Sequence, residues 1–145
     1  YVDPVTAENG RTTVGVWFLM DDTYANGIPQ MADVAAVRDY IETVRPAGAI
    51  VDVAAPVPDV VDVTISGLSP DTTAIRDAIR AELADLFRRN ARVSTLTEPY
   101  TLYRSKLIEA ISAAAGEDHH ELTAPADDVE VETGHIPVLG TVSFE

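Results

Sequence analysis

The chain has 145 residues, no cysteine, and a formal net charge of −14 from 10 basic and 24 acidic residues. That charge repels phosphate backbones and argues against a nucleic-acid module; the missing thiols remove a disulfide framework and a thiolate metal site. No apolar run approaches the roughly 20 residues a membrane helix needs, and 46% hydrophobic residues mark a packed globular chain.

The first residue is Tyr1, with no basic segment or long apolar stretch after it. The simplest expectation is a fragment of a longer protein, with the start of its first unit missing. Residues 1–12 are polar, contain Pro4 and Asn9-Gly10, and are expected to form a loop or tail ending in a turn. Residues 13–20 are β-branched and aromatic and predict a strand. Val14, Val16 and Phe18 fall on one face, and Gly15, Trp17 and Leu19 on the other. Both faces being largely apolar, the strand is expected to be covered on both sides. A polar loop follows at 21–27. Pro29 then stands where an N1 proline belongs, and Val34, Val37, Ile41 and Val44 form one helical stripe that Pro46 stops.

Residues 50–53 and 60–66 predict two strands joined through Ala55-Pro56-Val57-Pro58. In the second, Val61, Val63 and Ile65 alternate with Asp62, Thr64 and Ser66, which predicts one buried and one wet face. Ser69-Pro70-Asp71 has the form of a helix start: a serine cap, a proline at the first position and an acid in the first turn. Ile75, Ile79, Leu83, Leu86 and Phe87 supply its stripe, and Arg88-Arg89 complement the dipole of its last turn. Residues 90–99 form a connector. A third helix is expected from about 102 to 115, with Leu107, Ile108, Ile111 and Ala115 inward and Gly116 closing it. Strands are expected at 120–123, 129–132 and 138–144, the last after a turn at 134–137.

These elements make an α+β fold of two small tandem α/β units. Residues 1–55 give strand-helix-strand. Residues 56–145 give strand-helix-helix-strands, with the helices on one face of a mostly antiparallel sheet.

Three clusters in this order carry a family resemblance over nearly the whole chain. The first is the strand at 14–20 with the helix ending in Arg45-Pro46-Ala47-Gly48-Ala49. The second is Ala54-Ala55-Pro56-Val57-Pro58 feeding the strand at 61–65 and the helix at 75–87. The third is 103–105 with 107–111, then Gly116 and the closing Ile136-Pro137-Val138-Leu139-Gly140-Thr141-Val142. Together they resemble the C-terminal portion of the baseplate J-like proteins of contractile-tailed phages. The family's strand ending in proline corresponds here to Pro125. One departure is the connector 90–99, NARVSTLTEP, which lacks the glycine-led turn usual before the third helix.

The resemblance implies a structural subunit of a phage or prophage tail baseplate, with other tail baseplate proteins as partners; the charge of −14 predicts a monomer or weak homo-oligomer in isolation. It implies the virion tail baseplate as location, and the host bacterial cytoplasm during assembly. No feature of the resemblance implies an enzymatic role or cofactor, and the charge and the lack of a long apolar run give no nucleic-acid or membrane partner.

Candidate chemistry is sparse. His119-His120, beside Asp118 and Glu121, is the one cluster that looks like metal ligands, but adjacent residues on a strand point to opposite faces, so a solvated turn is the simpler reading. Asp21-Asp22 and Asp127-Asp128 lack the alternating oxygens of a calcium loop. Ser94, Ser105 and Ser112 have no nucleophile setting, and no glycine-rich phosphate motif is present. Glu82 and Asp85 lie on a polar helix face without the desolvation that would tune them as acid and base.

The candidate partner contacts are Trp17, Arg88, Arg89, Arg92, Val142 and Phe144. The arginines are the densest positive spot in an acidic chain; helix-end electrostatics is the plain reading and an acidic partner segment the sharper one. Trp17 is more often core than contact. Val142 and Phe144 sit in a closing strand that could offer an edge. The alternative function is a ferredoxin-like small-molecule-sensing regulatory module, which a pocket with convergent polar groups would favour.

Overall fold

The computed structural model describes residues 2–6 and 12–145. In the first part of the chain, β1 (Val2–Thr6), β2 (Thr12–Trp17) and β3 (Ile50–Ala54) form a sheet of order β1-β2-β3. β1 and β2 are antiparallel; β2 and β3 are parallel, joined by a crossover containing helix α1 (Met31–Val44). The segment 2–6 is therefore a strand, not the expected loop. Pro4 misled: proline lacks a ladder donor, but an edge strand tolerates that, and β1 is an edge. The expected turn at Asn9-Gly10 lies outside the described residues.

The register sets Val14 beside Val51 and Val16 beside Val53, so these four share a face. Trp17 lies on the opposite face, its ring folded over Gly15, where a Cβ would stand 2.7 Å from the indole. β2 is not covered on both sides as expected; Gly15 is buried, but Val14, Val16 and Trp17 are only half-buried. Three strands and one helix are too few to enclose a central strand. α1 itself buries no residue fully, and Val44 at its end is 60% exposed.

α1 begins two residues later than Pro29 would place it. Gln30 is the N-cap, and the Asp33 carboxylate accepts from its backbone N–H at 2.9 Å. The helix ends where expected. Arg45 adopts an extended conformation before Pro46, as steric conflict with the proline ring demands. Arg38 then ties the helix to the sheet, its Nη2 donating to the Val53 carbonyl at 3.0 Å.

Only Ala55 and Pro56 separate β3 from β4 (Val57–Ser69), a 13-residue strand in a second sheet. After it come α2 (Thr73–Asn90), β5 (Tyr100–Leu102), α3 (Arg104–Ser112), β6 (His119–Ala124), β7 (Val129–Val131) and β8 (His135–Phe144). The second sheet has order β6-β4-β8, and β5 and β7 make a separate antiparallel ribbon. The fold is α+β, as expected. Its main sheet is mixed rather than mostly antiparallel, because β8 returns parallel to β4 while β6 is antiparallel to it.

The alternation in β4 falls as predicted. Val61, Val63 and Ile65 are buried against Ile75, Ile79 and Leu83 of α2, with Leu107 and Ile111 of α3 closing the core. Each such side chain contributes about 1.5–3 kcal/mol by burial. α2 starts at Thr72, whose hydroxyl accepts from the Ile75 N–H at 3.3 Å, rather than at Ser69. Ser69 is still part of β4, opposite His119. α3 is shorter than expected because Leu102 belongs to β5, and Asp128 accepts from the Arg104 N–H at its start.

The connector is a built element. Val93, Ser94 and Thr95 are buried. The Ser94 N–H donates to the His135 carbonyl at 2.9 Å, and the Gly134 N–H donates to the Ser94 carbonyl at 2.7 Å. Thr95 Oγ1 accepts from the Glu98 N–H at 3.0 Å, a side-chain turn that stands in for the missing glycine.

Candidate assembly surface

Residues 18–30 follow β2 as a closed loop. The Met20 N–H donates to the Gly27 carbonyl at 2.7 Å, and the Gly27 N–H donates to the Tyr24 carbonyl at 2.9 Å. The Tyr24 hydroxyl donates to Asp33 at 2.7 Å, pinning the loop to the start of α1. That bond, with the Gln30 N–H, holds the Asp33 carboxyl below the usual carboxylate range, and it raises the Tyr24 phenol.

This loop, the last turns of α2 and the first half of β8 enclose a cleft of about 190 Å³. Leu19 and Tyr24 form one wall, Ala84 and Phe87 the other, and Val138 and Leu139 the floor. Val138 lies opposite exposed Val60 and Leu139 opposite buried Val61, so the two point to opposite faces of the sheet. Because both line the cleft, it runs along the edge of β8 rather than over a face.

Arg88 stands at this cleft, whereas Arg89 lines a shallow recess between α2 and α3. The two guanidiniums share one carboxylate, Asp85, at 2.6 and 2.7 Å. The Arg88 hydrogen bond and both positive charges hold Asp85 below its ordinary value. Arg92 is exposed and has no ion-pair partner among the described residues.

Trp17 spans the two sheets. Its indole nitrogen lies 3.6 Å from where a Cβ of Gly134 would stand. Val142 and Phe144 are half-buried on the core of the second sheet, opposite Val63 and Ile65. Arg76 and Arg80 lie 5.1 and 5.0 Å from the Phe144 ring centroid. The structure thus sets Arg88 and the floor of the cleft together, and leaves Trp17, Arg89 and Phe144 at three other places. No sequence pattern marks the cleft; the nearest local signal is the Ile136-Pro137-Val138-Leu139 run, which by itself reads as part of a turn and strand.

Other exposed apolar side chains include Met31, Tyr40 and Val44 on α1, and Val57 and Val60 on β4. His120 pairs with Glu117 at 2.8 Å, both side chains under a tenth exposed, while His119 is exposed. Among the described residues no three His, Asp or Glu side chains converge as a metal site would require, and no helix is long and apolar enough to cross a membrane.

Two sheets on a short joint, with helices packed against them, define an α+β protein. Residues 2–55 match the Baseplate J-like central domain, and residues 61–145 match the Baseplate J-like protein C-terminal domain. The chain belongs to the Baseplate J-like family, whose role is structural, in phage tail baseplates. It is 38% identical over 136 residues to a protein named JayE from Escherichia coli K12. It is 32% identical to the Mu-like prophage FluMu protein gp47 of Haemophilus influenzae, and 30% identical to the baseplate protein gp47 of Escherichia phage Mu. Each comparison covers 93% of this chain but only 49%, 39% and 38% of the respective relative. The chain therefore spans about half or less of their length.

Proposed function

We propose that this chain is a structural, non-enzymatic part of a phage or prophage tail baseplate and works through contacts with other tail proteins. It divides into two units, 1–55 and 56–145, joined at Ala55-Pro56. The observation that carries this reading is the order of the two matched domains along one chain, each on its own sheet, with only Ala55 and Pro56 between the strands β3 and β4. The cleft supports it over a metabolite sensor, since about 190 Å³ falls well below the roughly 300–1,000 Å³ of small-molecule sites. Assembly takes place in the host bacterial cytoplasm before the chain enters the virion.

The test is co-expression with the tail proteins encoded beside it, followed by purification on this chain and identification of what is retained. Retention of a defined tail protein in fixed stoichiometry is expected. Retention of none, with saturable binding of a metabolite instead, would overturn the reading.

A further inference from the structure

The helices of the second unit pack on one face of the β6-β4-β8 sheet, and the other face is wet. Val61, Val63 and Ile65 point into the core, so Val60, Asp62, Thr64 and Ser66 point the opposite way. On β6, Leu122 is buried opposite Ile65, which puts Glu121 and Thr123 on the wet face. The hydroxyls of Ser66 and Thr123 meet there at 3.0 Å. On β8, Val142 and Phe144 pack on the core, so Thr141 and Ser143 point outward beside them. Val60 is 65% exposed, and Asp62, Glu121, Thr123 and Thr141 are exposed with it.

A wet sheet face is ordinary. One that carries charge of a single sign is not, since soluble surfaces intersperse both. β4, β6 and β8 contain no lysine or arginine. Residues 56–69 and 113–145 together hold ten acids and no lysine or arginine, whereas residues 70–112, which contain both helices, hold six acids and seven bases. Among the described residues none of those ten acids pairs with a lysine or arginine; Asp59, Glu117 and Glu132 meet only histidines. The negative charge of the second unit is thus gathered on its strands, away from a near-neutral helical layer. That sign repels phosphate and selects a cationic partner.

The face also has a seat at its centre. A Cβ at Gly140 would collide with both the Asp62 carboxylate and a methyl of Val60. Both side chains therefore lie down over the glycine, and the Thr141 N–H holds the carboxylate there with a 2.7 Å bond. An exposed apolar surface and a fixed carboxylate stand side by side, which suits the aliphatic stem and planar head of an arginine.

We propose that the open face of the β6-β4-β8 sheet docks the basic surface of a partner protein, which lays an arginine across Gly140 with its stem on Val60 and its guanidinium on Asp62. A second copy of the chain is not that partner, because its most basic layer, residues 70–112, is nearly neutral. That the partner is a tail protein rests on the baseplate reading above; the charge of the face does not.

The test titrates the chain with a penta-arginine peptide, followed by amide NMR. Saturable binding that weakens as salt rises is expected, with shifts at Asp62, Glu121 and Thr141 rather than on α2. Asp62→Asn with Glu121→Gln keeps the side-chain shapes and an acceptor for Thr141, and should weaken binding at least fivefold. Asp77→Asn with Glu82→Gln removes the same charge from α2 and should leave binding unchanged. No binding, shifts confined to α2, or equal weakening by the two double variants would overturn the proposal. Co-expression separates it from the functional reading. A tail protein retained by wild type and lost by the Asp62/Glu121 variant supports both. Equal retention by the two overturns the docking face and leaves the baseplate role standing. A chain that binds the peptide on this face but retains no tail protein keeps the face and loses the baseplate role.

Discussion

The indole of Trp17, at the end of β2, packs against the backbone of Gly134, just before β8 begins. This contact joins the two sheets at a point far in sequence from the Ala55-Pro56 joint. Gly134 has a φ of 81°, which L-residues other than glycine adopt at a cost of roughly 1–2 kcal/mol. Gly134→Ala is expected to lower stability by about that much, measured by urea denaturation. Gly134→Val should cost more, because its branches extend into the indole. A Gly134→Val midpoint no lower than that of Gly134→Ala would show that the indole is not packed against this position.

Val63 is fully buried at the centre of β4. Val63→Asp places a charge in the core with no partner, a cost of about 3–5 kcal/mol. Against a typical total stability of about 5–15 kcal/mol, the second sheet should lose cooperative unfolding. Circular dichroism during heating would show it, and a soluble variant with an unaltered melting curve would contradict the strand's inward face.

Asp33 gives a pH signature. Its folded pKa is depressed, chiefly by the Tyr24 hydrogen bond. The stabilisation is therefore present above the unfolded carboxylate value, near 3.9, and is lost as pH falls through the lower folded value. Tyr24→Phe should raise the Asp33 titration midpoint, followed by carboxyl NMR, and leave stability at acid pH, once Asp33 is protonated, closer to wild type than at neutral pH. A midpoint equal in both proteins would remove the hydroxyl from the account.

Phe144 lies under two guanidinium groups while packed, half-buried, against the core. Phe144→Ala should cost on the order of 2 kcal/mol, less than the ~3–5 of a fully buried phenylalanine. Phe144→Leu should restore most of the packing but not the cation contact. Chemical denaturation of the pair separates the two contributions; equal losses in both variants would assign the whole effect to the cations.

Self-association should be weak. At −14, copies of the chain repel each other, and salt screens that repulsion. Sedimentation at low and high salt should show a monomer shifting toward a weak dimer. A tight oligomer indifferent to salt would contradict the charge argument.

The core was legible because its signals are periodic. Val61, Val63 and Ile65 repeat every two residues, and Ile75, Ile79 and Leu83 every four, so both elements declare which side is buried. The Arg45-Pro46 stop was legible because proline acts on its immediate neighbour. The start of α2 was not. Both Ser69 and Thr72 can cap a helix, and the choice falls to Thr72 because the β4–β6 ladder reaches as far as Ser69. The parallel pairing of β4 with β8 left no local trace either, since partners such as Val57 and His135 lie far apart in sequence. The cleft was hidden for the same reason. Leu19, Ala84 and Leu139 are each ordinary in their own segment and meet only when all three are folded.

The joint at Ala55-Pro56 has a mechanical consequence. With two residues between β3 and β4 there is no slack, so tension applied to the first sheet arrives at once on β4. That strand is the middle one of its sheet, held by β6 on one side and β8 on the other. A pull along its axis must slide it past both neighbours together, straining many hydrogen bonds in parallel, instead of peeling an outer strand one bond at a time. The chain is strung so that load enters its second half through the element hardest to extract.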